Sequence, residues 1–264
     1  MRGFSDKYGP WALIAGASEG IGEAFAHALA RRGLKLVLLA RREHKLHATA
    51  AAITERHGVE VVSVACDLAD PELEARVRAG VGEREIGLLV YNAAYSRMGE
   101  FFEQPLADQL RTLDVNCRAP LILTHVLGLP MLARGRGGIV LMGSMAGEQG
   151  SPRLATYAAS KAFDRTLAES LWGELRGRGV DVLACVAGAT RTPGFEAVAS
   201  TAKGPVMEPE AVAEAALSRL GLTPSMIPGL GNRLGAFVLA RLPTRARIRI
   251  MDLATRGSGG SRED

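Results

Sequence analysis

Short unbroken apolar runs rich in Val, Ile, Leu and Ala alternate along the chain with longer stretches in which apolar residues recur every three or four positions. Continuous apolar runs suit strands buried on both faces, and the longer period marks helices that cross between them. The pattern predicts strands at 11–15, 35–40, 60–65, 87–91, 138–143 and 180–186, with helices at 20–32, 43–57, 71–81, 105–133, 155–176 and 209–220. That alternation predicts an α/β protein: one Rossmann-like, doubly wound parallel sheet of six to seven strands, with helices on both faces.

The 264 residues are expected to form one domain, with a core at about 8–229, a C-terminal helical extension at 230–256 and a solvated tail at 257–264. With 47% hydrophobic and 23% charged residues the chain can bury a sizeable core. A net charge of +4, spread rather than clustered, argues against nucleic-acid binding. Three widely spaced cysteines, Cys66, Cys117 and Cys185, fit a reducing cytoplasm rather than a disulfide framework. The first ten residues lack the regions of a secretory signal, and no window offers about 18 unbroken apolar residues for a membrane span. The five histidines lack metal-ligand spacing to one another, so no metal is expected.

The first predicted strand runs into Gly16-Ala17-Ser18-Glu19-Gly20-Ile21-Gly22, which opens the first predicted helix. Glycines there allow a tight turn and close approach of the backbone to a pyrophosphate, and the helix N-terminus offers unpaired N–H groups to the anion. Arg41 and Arg42 follow the second strand, where an NAD enzyme usually carries an acid against the ribose 2′-hydroxyl. Arginine at that place suits a 2′-phosphate, so NADP(H) is the expected cofactor. An ordinary solvated pair is the competing reading, and Glu19 in the glycine turn counts against the phosphate.

The sharpest motif is Tyr157-Ala158-Ala159-Ser160-Lys161, thirteen residues after Ser144 at the end of the fifth strand. Tyr157 and Lys161 are four apart and share a helix face. A nearby ammonium stabilises a phenolate, and that suits a tyrosine to general acid–base work. Ser144 would hold and polarise the substrate oxygen. Alone, each of these residues has a structural explanation; together, in this order behind a glycine turn, they point to chemistry.

Taken jointly, these motifs over about residues 10–195 resemble the short-chain dehydrogenase/reductase family. The resemblance implies a hydride exchanged between nicotinamide and a carbonyl or alcohol, with Asn116, Ser144, Tyr157 and Lys161 as catalytic residues. It further implies that Lys161 binds the nicotinamide ribose and that Asn116 holds a water behind it. The cofactor set it implies is Gly16, Ser18, Glu19, Gly20, Ile21, Gly22, Arg41, Arg42, Asp67, Leu68, Asn92, Ala93, Tyr157, Lys161, Gly188, Thr190 and Thr192, with Thr192 favoured over Thr190 for the amide or diphosphate contact. Ala15, Ala94 and Ala187 depart from the family's usual Thr, Gly and Pro.

Substrate walls are expected from 95–102, 145–154 and 195–207, through Tyr95, Met98, Phe101, Met145, Leu154, Phe195, Val198 and Met207. Few fixed charges there suggest a lipophilic ketone: a ketosteroid, a 3-oxoacyl chain or a xenobiotic. The rival reading is an NADP(H)-binding sensor or scaffold without turnover. A homodimer or homotetramer is expected. The segment 231–256 mixes apolar residues with six arginines and one acid, Asp252. It stays open as a helix closing the pocket or a subunit contact, a peripheral membrane helix, or a solvated helix.

Overall fold

The computed structural model describes residues 3–196 and 206–256. Seven parallel strands form one sheet: β1 (Trp11–Ala15), β2 (Lys35–Ala40), β3 (Val61–Ala65), β4 (Ile86–Tyr91), β5 (Gly137–Ser144), β6 (Val180–Ala187) and β7 (Ser225–Met226). Their spatial order is β3-β2-β1-β4-β5-β6-β7. The direction of winding therefore reverses between β1 and β4, and a doubly wound sheet opens a ligand crevice beyond the carboxyl ends of its strands at that point.

Helices follow in the order α1 (Phe4–Tyr8), α2 (Gly20–Ala30), α3 (Glu43–His57), α4 (Leu73–Val81), α5 (Leu106–Leu113), α6 (Ala119–Ala133), α7 (Ala155–Leu175), α8 (Pro193–Glu196), α9 (Pro209–Arg219), α10 (Leu230–Arg241) and α11 (Thr244–Thr255). Successive strand residues face opposite sides, so each central strand feeds two cores. Ala12 and Ile14 of β1 join Leu36, Leu38, Leu88 and Val90 beneath α2, α3 and α9. Leu13 and Ala15 join Val37, Leu39, Leu89 and Leu141 beneath α4, α6 and α7. Strand positions in both layers are almost fully buried, which is why they read as unbroken apolar runs.

The predicted strands all form, with ends shifted by a residue at most, and 225–226 pairs with Ala184 and Cys185 as the seventh. The single helix predicted at 105–133 needs correction: a π-helical turn, Asp114–Arg118, separates α5 from α6. An extra residue in one turn rotates the side chains around it, and Asn116 and Val115 end up buried. The run Leu106–Ala133 has length and apolarity enough for a bilayer span, but half of its most apolar window is buried, and α6 packs against β4 and β5. The extension at 230–256 forms two helices, α10 and α11. Val198 and the tail at 257–264 lie outside the described residues.

Candidate active site

The loops leaving β1, β4, β5 and β6 converge at the carboxyl edge of the sheet. At Gly16 (φ +80°) a Cβ would stand 2.7 Å from the Ala93 backbone, and at Gly22 it would stand 1.9 Å from the Gly16 carbonyl oxygen. Asn92 Nδ2 donates to that same carbonyl at 3.1 Å. Gly20 (φ +61°) lies under the Thr192 methyl, 2.9 Å from where its Cβ would be. The turn leading into α2 is thus packed so closely on Ala93, Asn92 and Thr192 that no side chain fits at its three glycines, and the donor-rich helix end beside it suits a diphosphate. Thr192 sits over this turn, whereas Thr190 is 5% exposed and donates to the Gly188 carbonyl at 3.1 Å. Ser18 and Ile21 lie in the same turn, and the Ser18 carbonyl accepts from Thr49 Oγ1 at 3.4 Å.

Glu19 lies 2.6 Å from an Arg42 nitrogen and 3.1 Å from Lys45 Nζ. Burial alone would make the Glu19 carboxyl a weaker acid, but the Arg42 and Lys45 bonds override that and hold its pKa below the usual glutamate range. Arg42 is thereby occupied, and Arg41 stands exposed beside it. Asp67 caps its own turn through the Ala69 N–H at 3.0 Å and pairs with Arg111 at 2.7 Å, while Leu68 is buried.

Ser144 ends β5 opposite Ala187, and its Oγ accepts the Ala146 N–H at 3.2 Å. The turn Met145–Glu148 rests on α7: a Cβ on Gly147 would be 2.7 Å from the Ala162 nitrogen. Tyr157 occupies the first turn of α7, and Lys161 Nζ lies 6.0 Å from its ring centroid. The ammonium, only 3% exposed, donates to the Met142 carbonyl at 2.8 Å and to Asp164 Oδ2 at 2.9 Å. Burial disfavours the charged lysine, but the negative charge of Asp164, and that of Tyr157 when ionised, outweigh it and hold Lys161 above the ordinary lysine range. Asp164 had no motif to announce it; an acid at i+3 from the lysine was the only signal available.

Asn116 is fully buried and braces two elements with its side chain. Its Oδ1 accepts the Tyr95 N–H at 2.8 Å, and its Nδ2 donates to the Tyr95 carbonyl at 2.9 Å and to Ser160 Oγ at 3.0 Å. Ser160 in turn donates to the Tyr157 carbonyl at 2.7 Å, so Asn116 ties the loop after β4 to the first turns of α7.

The expected substrate wall carries more charge than its apolar residues suggest. The Tyr95 hydroxyl donates to Asp108 at 2.7 Å, and Arg97 pairs with the same carboxylate at 2.5 Å. A small cavity beside Tyr157 is lined by Arg97, Phe101, Gln104, Gln109 and Leu154. Met98, Met145 and Phe195 are half-buried around this edge, while Met207 pairs its backbone with Ala189 and Arg191 and sets its sulfur against Gly229. Burial pushes the Cys117 thiol up to about 11 and Cys185 up to about 12, so neither is a ready nucleophile. Among the described residues no three metal-type ligands cluster.

A sequence model of the short chain dehydrogenases matches residues 10–203, which hold the glycine turn, Ser144, Tyr157 and Lys161. The chain belongs to that family. It is an oxidoreductase working between hydroxyl and carbonyl groups. A 7beta-hydroxysteroid dehydrogenase of Collinsella aerofaciens is 32% identical, the match covering 86% of this chain and 89% of that protein. A solved 7beta-hydroxysteroid dehydrogenase structure superposes with a TM-score of 0.89 at 31% identity, over 95% of this chain and 99% of the other. A very-long-chain 3-oxoacyl-CoA reductase of Anas platyrhynchos is 32% identical over 92% of this chain and 79% of its own length. A short-chain dehydrogenase from Sphingobium yanoikuyae, solved in complex with NADPH, has a TM-score of 0.76 at 32% identity, covering 88% of this chain and 93% of that one.

Proposed function

We propose that this short-chain dehydrogenase uses NADP(H) to reduce a lipophilic ketone, of the ketosteroid or 3-oxoacyl kind. The observation that carries the reading is the placement of Tyr157 and the buried Lys161 ammonium on one face of α7, against the turn that Ser144 opens. The turn of Gly16, Gly20 and Gly22 fits a dinucleotide diphosphate, and Asn92, Ala93 and Thr192 close around it. When bound, the nicotinamide supplies the hydride. Asp67 and Leu68 would border the adenine, and Arg41 would meet the 2′-phosphate, with the solved NADPH complex of a relative in support.

Ser144 Oγ holds and polarises the carbonyl oxygen, and Tyr157 donates its phenolic proton there as alkoxide charge develops. Lys161 stabilises the phenolate that remains. Two of its three donors go to Met142 and Asp164, which leaves the third for the ribose hydroxyls. Because the Asn116 side chain is committed to Tyr95 and Ser160, a water behind the lysine falls to its main-chain carbonyl.

Exposed Leu106, Leu110, Leu113, Leu121 and Leu129 on α5 and α6 offer an apolar face for a homodimer or homotetramer. We read the chain as one domain, and its three free thiols suit a reducing cytoplasm.

The test follows NADPH absorbance over a ketone panel that includes a 7-ketosteroid. Tyr157→Phe should bind NADPH like wild type and lose about 10²-fold or more in kcat. A Tyr157→Phe enzyme as fast as wild type would remove Tyr157 from the chemistry, and failure of every lipophilic ketone would remove the substrate class.

A further inference from the structure

Among the described residues, α10 and α11 meet loops at the carboxyl edge of the sheet. On α10, Asn232 is 6% exposed and lies so close to Gly188 that a Cβ there would stand 2.6 Å from its Nδ2. That nitrogen donates to the Pro228 carbonyl at 3.0 Å. On α11, Ile248 covers Gly150, and Asp252 and Thr255 receive Arg153.

Arg153 is a junction. Its Nη2 donates to Asp252 Oδ1 at 2.6 Å, to the Asp252 carbonyl at 2.7 Å and to Thr255 Oγ1 at 3.2 Å, while Thr255 Oγ1 donates to the Pro152 carbonyl at 3.1 Å. Its own carbonyl accepts the Gly99 N–H at 3.0 Å. One residue therefore joins α11, the loop after β4 and the segment between Ser144 and Tyr157. It holds φ +63°, a conformation unfavourable for any residue with a Cβ and stable only where surrounding contacts impose it. The partner is equally selected: between 231 and 256 six arginines face one acid, and that acid, Asp252, takes Arg153 on one oxygen and Arg256 on the other.

We propose that the Arg153–Asp252 pair clasps α10 and α11 over the substrate cleft, and that Arg153 is a positioning residue setting how well the cleft holds a bulky ketone. The inference rests on the oxidoreductase reading above. Without the clasp α11 lets go of the 150–154 segment, and the Arg153 carbonyl that holds the Gly99 N–H then rests on a segment no longer tied to α11. A cleft built for small substrates would lose little from that slackening, whereas one shaped around a large rigid ketone loses the contacts that orient it.

The experiment compares wild type with Arg153→Gly, Asp252→Asn and Arg153→Lys, using NADPH with cyclohexanone and with a 7-ketosteroid. Glycine accepts φ +63°, so Arg153→Gly removes the clasp without adding strain, and the variant should fold. The expected result is a rise of about tenfold in KM for the ketosteroid, with kcat nearly kept and cyclohexanone little affected. NADPH affinity, read by fluorescence, should stay unchanged. Amide exchange should quicken over 244–256 and 97–104, and Arg153→Lys should restore much of the ketosteroid KM. Quicker exchange with an unchanged preference between the ketones would overturn the specificity role. Unchanged exchange in Arg153→Gly would overturn the clasp. If wild type reduces neither ketone, the functional reading has failed on its own, and the exchange measurement still decides the clasp.

Discussion

Lys161 and Asp164 form an ion pair of 2.9 Å with both side chains closed to solvent, 3% and 1% exposed. The second carboxylate oxygen of Asp164 has no partner among the described residues. A buried charge without its counter-ion is far costlier than a neutral pair, because nothing then offsets the lost hydration.

Asp164→Leu and Lys161→Met should therefore each destabilise the fold by about 3 kcal/mol. The double variant Lys161→Met with Asp164→Leu should cost much less than the sum, since it leaves no ion stranded. Urea denaturation of the four proteins measures the cycle, and additive losses would show that the pair contributes no coupling. The pH sense is also set. Lys161 is held above the ordinary lysine range, so its contribution is complete at neutral pH and disappears only as pH climbs through that raised value.

A second pair bears on the proposed preference for NADP(H). Glu19 in the glycine turn grips Arg42 at 2.6 Å, and Arg41 is left exposed beside it. Arg41→Ala should weaken NADPH binding by about tenfold and barely move NADH, because one charge-assisted contact to phosphate is lost. Arg42→Ala should do less. Glu19→Gln, which releases Arg42 toward the same lip, should tighten NADPH. Fluorescence titration with both dinucleotides reads all three, and equal losses for NADH and NADPH in Arg41→Ala would refute a 2′-phosphate role.

What the sequence disclosed and what it hid divide along a physical line. β1 and β2 are apolar runs bounded by turns, so their ends could be read from local composition alone. Tyr157 and Lys161 share a face through helical periodicity, which is equally local. The π-turn at Asn116 has no such signature: its extra residue is fixed by how α5 and the turn itself settle on α7 while α6 packs on β4 and β5, and an uninterrupted helix has the same apolar spacing. Arg153 and Asp252 meet across 99 positions, and Arg111 reaches Asp67 across 44, so neither pair leaves a periodic trace. The charge at the Tyr95 wall has no local trace because Asp108, which pairs with Arg97 and Tyr95, comes from α5 and lies outside the loop.

The junction between α2 and α9 offers a test of charge at the opposite rim. Glu214 of α9 accepts from Arg32 at 2.5 Å and from Arg31 at 2.7 Å, and these guanidinium groups pull its carboxyl down to about 2. A depressed acid contributes stability above its unfolded value and loses that contribution as pH falls toward its folded value. Glu214 is 41% exposed, so solvent screens the pair and its worth should be about 1 kcal/mol or less. Glu214→Gln should therefore unfold slightly earlier in urea at neutral pH, and the gap from wild type should shrink as pH drops from the ordinary glutamate range toward about 2. High salt should narrow the same gap at neutral pH. A gap indifferent to both pH and salt would mean that Glu214 joins the helices through packing of its stem and not through its charge.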